Sequence, residues 1–355
     1  MKTRYLGASI LFWIFPASGQ YVAHQAGAVI QLEDVKNQMV VTVTPTIGAL
    51  AIEIKIKGTN ILRSSWNSVQ DFVAKPTSDG VPYRGPWFNR LDEHAFWANG
   101  KKYLFNDSLG NIRGEQAMSG FLMIDPDKEW RLIEFKSDDK AAWVTSKLDF
   151  YRHPDWMAQW PFAHTVEITY RLENGVLEVR TRVENLSTEP MPASFGFEPA
   201  FRLTDSPRDE WTLGIGARTT WLLTPAKIPY GEVKKVEEVY GTRKNLPLKG
   251  LNLDNQFADF ERDALGRSLF WIQGKKQRLE FLVGPHWQAM GINARDPSAT
   301  ASPEVVQRPA AVLFEPMTAI TNGMNLAHRG IYKELQTILP GQTWQESFWI
   351  RPSGF

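Results

Sequence analysis

Residues 164–185 read HTVEITYRLENGVLEVRTRVEN. Apolar and polar side chains alternate on both sides of Glu173-Asn174-Gly175, and many of the residues are β-branched. Alternation with period two places one set of side chains on a buried face and the other towards solvent. An Asn-Gly step between two such runs is the strongest short-range signal for a two-residue β-hairpin. The same pattern recurs in VVTVTPTIGALAIEIKIKG (40–58), AVLFEPMTAI (311–320) and QESFWIRP (345–352). No long segment sustains a helical period. Turn residues punctuate the chain at Asn99-Gly100, Pro229-Tyr230-Gly231 and Pro340-Gly341. Closely spaced strands joined by hairpin turns predict an all-β fold, a large antiparallel β-sandwich. No Ser/Gly/Pro-rich linker and no repeat divides the chain, so residues 20–355 are expected to form one domain. DPSATASPEVVQRP (296–309) is expected to be a long mobile loop.

The chain has 355 residues, of which 43% are hydrophobic and 22% charged, proportions ordinary for a soluble globular protein. A formal net charge of +1, with no basic stripe, argues against nucleic acid or an anionic membrane surface as partner. Fourteen Trp and twenty Phe are enough to fill a thick sandwich core and leave some rings for stacking on sugars. Cysteine is absent, which removes disulfides, thiolate metal sites and cysteine nucleophiles together. The first nineteen residues, MKTRYLGASILFWIFPASG, run from Lys2 and Arg4 through an apolar stretch to the small residues Ala17, Ser18 and Gly19. That is the order of a secretory signal peptide, and the apolar run is too short for a membrane span. Residues 1–19 are therefore read as a signal. The mature chain is expected to be exported, to the periplasm or the extracellular space, without membrane insertion.

Six histidines (His24, His94, His153, His164, His286, His328) show no metal-binding spacing, so no metal site is expected. There is no GxSxG elbow and no phosphate-cradling Gly-rich loop. What remains is a set of polar residues in apolar or turn-rich settings: Asn89 and Arg90 in GPWFNRL, Glu198 in FGFEPAF, Asp254 in LNLDNQF, and Glu315 in VLFEPMTAITNGMN. Two of them sit in Phe-Glu-Pro, at 197–199 and 314–316. In each, an apolar strand-like run is expected to end at the carboxylate, because the proline cannot donate to a continuing ladder. A carboxylate at a strand end facing a concave sheet suits a general acid or base. The plainer alternative is a buried ion pair, for example Glu198 with Arg90 or Arg202.

Taken in order, these blocks resemble the aldose 1-epimerase (galactose mutarotase) family nearly end to end. GVPYRGPWFNRLDEHAFWANGKKYLF (80–105) is similar to the family's early Asn-Arg block. WPFAHTVEITYRLENGVLEVRTRVENLSTEPMPASFGFEPAFRL (160–203) resembles its central hairpin leading to a Gly-Phe-His-Pro segment. IPYGEV, LDNQFADF, FEPMTAITNGMN and LPGQTWQESFWI are similar to its later blocks. The resemblance implies the galactose mutarotase-like supersandwich. It also implies interconversion of the α and β anomers of a free sugar, without a cofactor, by acid/base ring opening. The partner would be a small sugar or short glycan, and the protein a monomer or dimer. By position, Glu315 matches the family's base, Arg90 and Asp254 its sugar-binding residues, with Asn89 beside Arg90. Two positions depart: Ser119 in QAMSGFLM stands where the family has a substrate-binding histidine, and Glu198 where it has the catalytic acid histidine. Glu198 could serve as the acid if apolar Phe195, Phe197 and Phe201, together with Glu315, raise its pKa. Otherwise the scaffold binds a sugar without turning it over. A glycosidase built on the two carboxylates ranks last.

Overall fold

The computed structural model describes residues 19–109, 112–120, 130–295 and 309–355. All of the expected signal except Gly19, and all of the expected 296–309 loop except Pro309, lie outside these residues.

The hairpin forms as its sequence predicts. Strands His164–Glu173 and Val176–Asn185 pair antiparallel in full register, from His164 opposite Asn185 to Glu173 opposite Val176. Asn174 (φ 49°) and Gly175 (φ 69°) supply the two left-handed residues that a type I′ turn requires. Asn99-Gly100 closes a second hairpin, between Ala95–Ala98 and Lys101–Leu104, in the same way.

Among the described residues two large antiparallel sheets dominate. A nine-stranded sheet holds the hairpin in its interior, with Arg131–Ser137 and Ala142–Asp149 on one side. Thr343–Ser353, Arg278–Val283, Ser268–Gln273, Thr212–Gly214 and Leu246–Pro247 follow on the other. An eight-stranded sheet runs in the order Pro229–Lys235, Ala217–Leu223, Leu253–Phe260, Ala289–Ala294, Val312–Met317, Gly196–Phe197, Tyr83–Arg84, with Ala200–Phe201 also paired to Val312–Met317. Aromatic rings fill the space between them. Phe197 and Phe314 of the second sheet meet Phe348 and Phe281 of the first, with centroids 5.0 Å and 5.5 Å apart. All four are fully buried, and rings in such offset and edge contacts add about 0.5–1.5 kcal/mol per pair beyond area burial. A third sheet of five strands, Tyr21–Ala26 to Thr59–Asn60, packs its apolar face into the same core.

The described helices are short, none long and apolar enough to cross a membrane. Two local expectations are corrected. Pro229-Tyr230-Gly231 is the start of the edge strand Pro229–Lys235, not a turn. A proline is tolerated as the first residue of an edge strand, and the true turn is Thr224–Ile228, closed by hydrogen bonds from Thr224 N to Ile228 O and from Lys227 N to Thr224 O. The second Phe-Glu-Pro does not end its strand either, since Val312–Met317 continues through Pro316.

Candidate active site

The sheet register itself brings the two Phe-Glu-Pro carboxylates together. Gly196 pairs with Met317, Ala200 with Leu313, and Phe314 N donates to Pro199 O. Carried across the gap between these pairs, the same register sets Glu198 opposite Glu315. Across the next strands Glu315 faces Gly291, Gly291 faces Gln256, and Gln256 faces Trp221. These residues form one row on one face. Phe195, Phe197 and Phe201 occupy alternate positions and point to the opposite face, into the core. Glu198 is therefore not enclosed by its sequence neighbours, and its side chain is 32% exposed.

The Glu198 carboxylate instead accepts from Arg84. Nε and Nη2 of Arg84 approach the same oxygen, Oε2, at 2.8 Å and 2.6 Å, and the arginine side chain is buried (5% exposed). The ion pair foreseen as an alternative thus exists, with Arg84 in the place suggested for Arg90 or Arg202. Glu315 is the enclosed carboxyl. Burial first, then the charges of Glu198 and Asp254, push its pKa well above the usual carboxylate range, while Arg90 and Arg84 pull it down. Its carboxyl lies over Gly291, where a Cβ would stand 2.4 Å from Oε2. Only glycine leaves room for that carboxyl.

Asp254, at the start of Leu253–Phe260, is held by two cations. Lys227 Nζ lies 3.4 Å from its Oδ2, and Arg295 pairs with the same oxygen. Lys227 (φ 64°) adopts the left-handed conformation within the 224–228 turn, a backbone cost often found at functional sites. Asn89 and Ser119 are left-handed too, at φ 62° and 50°. Ser119 N donates to Asn89 O at 2.7 Å, and Met118 pairs with Arg90, so GPWFNR and MSG meet as neighbouring strands. Arg90 Nη1 donates to Asn89 Oδ1 at 2.9 Å, and Arg90 acts on Glu315 through its charge without forming an ion pair among the described residues. Gln116 Nε2 donates to Ala226 O and ties this corner to the Lys227 turn.

Glu315, Glu198, Asp254 and Arg90 are thus gathered into one electrostatic cluster, with Asn89 and Ser119 positioned beside Arg90. Sequence reasoning missed Arg84, Gly291, Lys227 and Arg295 as parts of it. Arg84 lies 114 residues from Glu198, and no local pattern announces the pair. Gly291 could have been suspected, as a glycine inside a strand marks a close approach. Among the described residues no group of three His, Cys, Asp or Glu is disposed to hold a metal.

The molecule is thus a large antiparallel sandwich with carboxylates and cations gathered at one face of its eight-stranded sheet. The chain belongs to the aldose 1-epimerase family, whose model matches residues 29–285. No protein of curated function matches it in sequence. Among solved structures it is similar to a galactose mutarotase-like protein from Clostridium acetobutylicum (TM-score 0.78, 20% identity, covering 94% of this chain and 98% of that one). It is also similar to galactose 1-epimerase from Lactobacillus acidophilus NCFM (0.66, 16%, 94% and 98%). A third likeness is to an aldose epimerase homologue from C. elegans (0.68, 15%, 90% and 97%). At these identities the likeness establishes the galactose mutarotase-like fold.

Proposed function

We propose that the protein is an exported isomerase that interconverts the α and β anomers of a free sugar without a cofactor, using Glu315 and Glu198 as its proton-exchanging pair. The observation that carries this reading is the placing of Glu315: buried, opposite a second carboxylate, and with its pKa pushed well above the usual range. A carboxyl so perturbed is suited to both taking and giving a proton under mild conditions. Two like charges at adjacent cross-strand positions resist simultaneous ionisation, which suits the pair to passing a proton to and from a ligand. Arg84 pairs with the Glu198 carboxylate, while burial and the neighbouring acids push the Glu315 pKa well above the usual carboxylate range.

The chemistry needs one group to remove the proton from the anomeric hydroxyl and another to protonate the ring oxygen. Ring opening, rotation about C1–C2 and reclosure then give the other anomer, after which the protons return. Each step is reversed in closure, so a proton-exchanging pair serves both directions. Arg90, Asp254, Asn89 and Ser119 are assigned to holding the sugar hydroxyls over the pair. The segment 1–19 supports export, and residues 20–355 act as the functional domain.

A second reading, a carbohydrate-binding protein without turnover, is favoured by the Arg84–Glu198 ion pair, which occupies the carboxylate standing at the acid position. NMR exchange spectroscopy on α and β anomers of hexoses, pentoses and uronic acids separates the two. Turnover requires accelerated exchange that falls sharply in both Glu315→Gln and Glu198→Gln. Saccharide binding by calorimetry with exchange at the buffer rate would establish the binding reading instead.

A further inference from the structure

The charges around Glu315 do not balance. Arg84, Arg90, Lys227 and Arg295 stand on one side, and Glu198, Asp254 and Glu315 on the other, linked by the ion pairs on Glu198 and Asp254 and by the interactions felt at Glu315. Among the described residues, four cations against three carboxylates leave a surplus of one positive charge even with every acid ionised. When Glu315 holds its proton the surplus is two. The whole chain carries only +1, so the excess is concentrated here rather than sampled from a basic protein.

The placing of the cations matters as much as their number. Lys227 and Arg295 are 40% and 41% exposed and share Asp254 between them, so both retain donors directed elsewhere. Arg90, partly exposed, spends one nitrogen on Asn89 and forms no ion pair among the described residues. Asp254 takes both cations on the one oxygen, Oδ2, so it can still accept from a sugar hydroxyl, while a neutral sugar leaves the positive charge of Lys227 and Arg295 only half matched. A planar anion, by contrast, matches the guanidinium fork of an arginine and fills the unmet positive charge.

We infer that the sugar taken by this site is anionic and bears a carboxylate, as a free hexuronic acid does, with the carboxylate held by Arg90, Lys227 and Arg295. A phosphate ester offers similar chemistry at nearly twice the charge. Glu198 and Asp254 stay in the same cluster and oppose a dianion more strongly than a monoanion. The inference rests on the carbohydrate reading above and narrows it to a substrate class.

Calorimetry on the full chain tests it with glucuronate, galacturonate, glucose, galactose and glucose 6-phosphate, at low and at high ionic strength. The uronates should bind about tenfold or more tightly than their neutral parents at low salt, a difference of about 1.4 kcal/mol. That advantage should shrink at high salt and fall towards unity in Arg295→Gln and in Lys227→Gln. Equal affinity for glucose and glucuronate, or tighter binding of the 6-phosphate than of either uronate, overturns the inference. Binding of neutral hexoses without uronates overturns it while leaving the carbohydrate reading intact, whereas failure of all five sugars to bind overturns both.

Discussion

Replacing Gly291 by alanine isolates the seat of Glu315. The backbone of Gly291 is not in the left-handed region, and it sits within strand Ala289–Ala294, so alanine meets no conformational objection. Its Cβ would, however, stand 2.4 Å from Glu315 Oε2 and 3.0 Å from Glu315 Cβ. Ordinary carbon–oxygen contacts are about 3.3–3.6 Å, so the carboxyl must shift by about 1 Å. Overpacking of this kind costs about 1–3 kcal/mol of stability. A displacement of about 1 Å at a catalytic group can cost about 100-fold in rate. Urea melts should therefore show Gly291→Ala destabilised in the wild-type background and less so in a Glu315→Ala background, where the carboxyl is gone and only the 3.0 Å contact between the two Cβ atoms remains. Anomer exchange, measured by NMR, should fall with the displacement. An unchanged melt and exchange rate, or a destabilisation that persists in full without the Glu315 carboxyl, would refute the claim that glycine is there for the carboxyl.

The Arg84–Glu198 pair should behave non-additively. Glu198→Gln leaves a buried guanidinium uncompensated and should cost about 2–4 kcal/mol, while Arg84→Met/Glu198→Gln together should recover much of it; additive losses in urea melts would contradict the pairing. Glu315 has a folded pKa raised above its unfolded value, so its contribution is fully present below the ordinary carboxylate range and is lost as pH rises through the raised pKa. Glu315→Gln should accordingly flatten the decline of stability with rising pH, and an unaltered slope would count against a protonated Glu315. His164 is buried against Phe150, with Nδ1 2.7 Å from Phe162 O, and burial pulls its pKa down to about 4. Below the ordinary imidazole pKa the unfolded chain takes up a proton that the folded chain refuses. Stability should fall by about 3 kcal/mol as pH drops from about 6.5 to about 4, a slope that a His164→Phe variant retaining the fold should lack.

The carboxylates were legible for a reason that the structure modifies. Glu198 attracted notice because phenylalanines surround it in sequence, which suggested a charge buried in apolar surroundings. Period-two alternation sends Phe195, Phe197 and Phe201 to the other face, so the apolar neighbours never enclose it. Glu315 sits in a similar Phe-Glu-Pro, but its strand is interior to the sheet, between Ala289–Ala294 and the Gly196–Ala200 segment. There the neighbouring strands and Glu198 supply the burial and the repulsion that raise its pKa. Two copies of one local motif thus acquire different electrostatic characters from position in the sheet. The Pro229-Tyr230-Gly231 misreading has a related cause, because turn residues are also tolerated where an edge strand begins.

By itself the sequence determined the strands, the Asn174-Gly175 and Asn99-Gly100 turns, the sandwich class and the family resemblance. Those features follow from alternation and turn chemistry, which act over a few residues and need no partner. Tertiary structure alone decided that Glu198 stands opposite Glu315, that Arg84 rather than Arg90 pairs with Glu198, that Gly291 makes room for the buried carboxyl, and that Lys227 and Arg295 converge on Asp254. Each of these depends on register between strands far apart in the chain. Because Coulomb energy and steric contact depend on distance in space, local residue order cannot fix them.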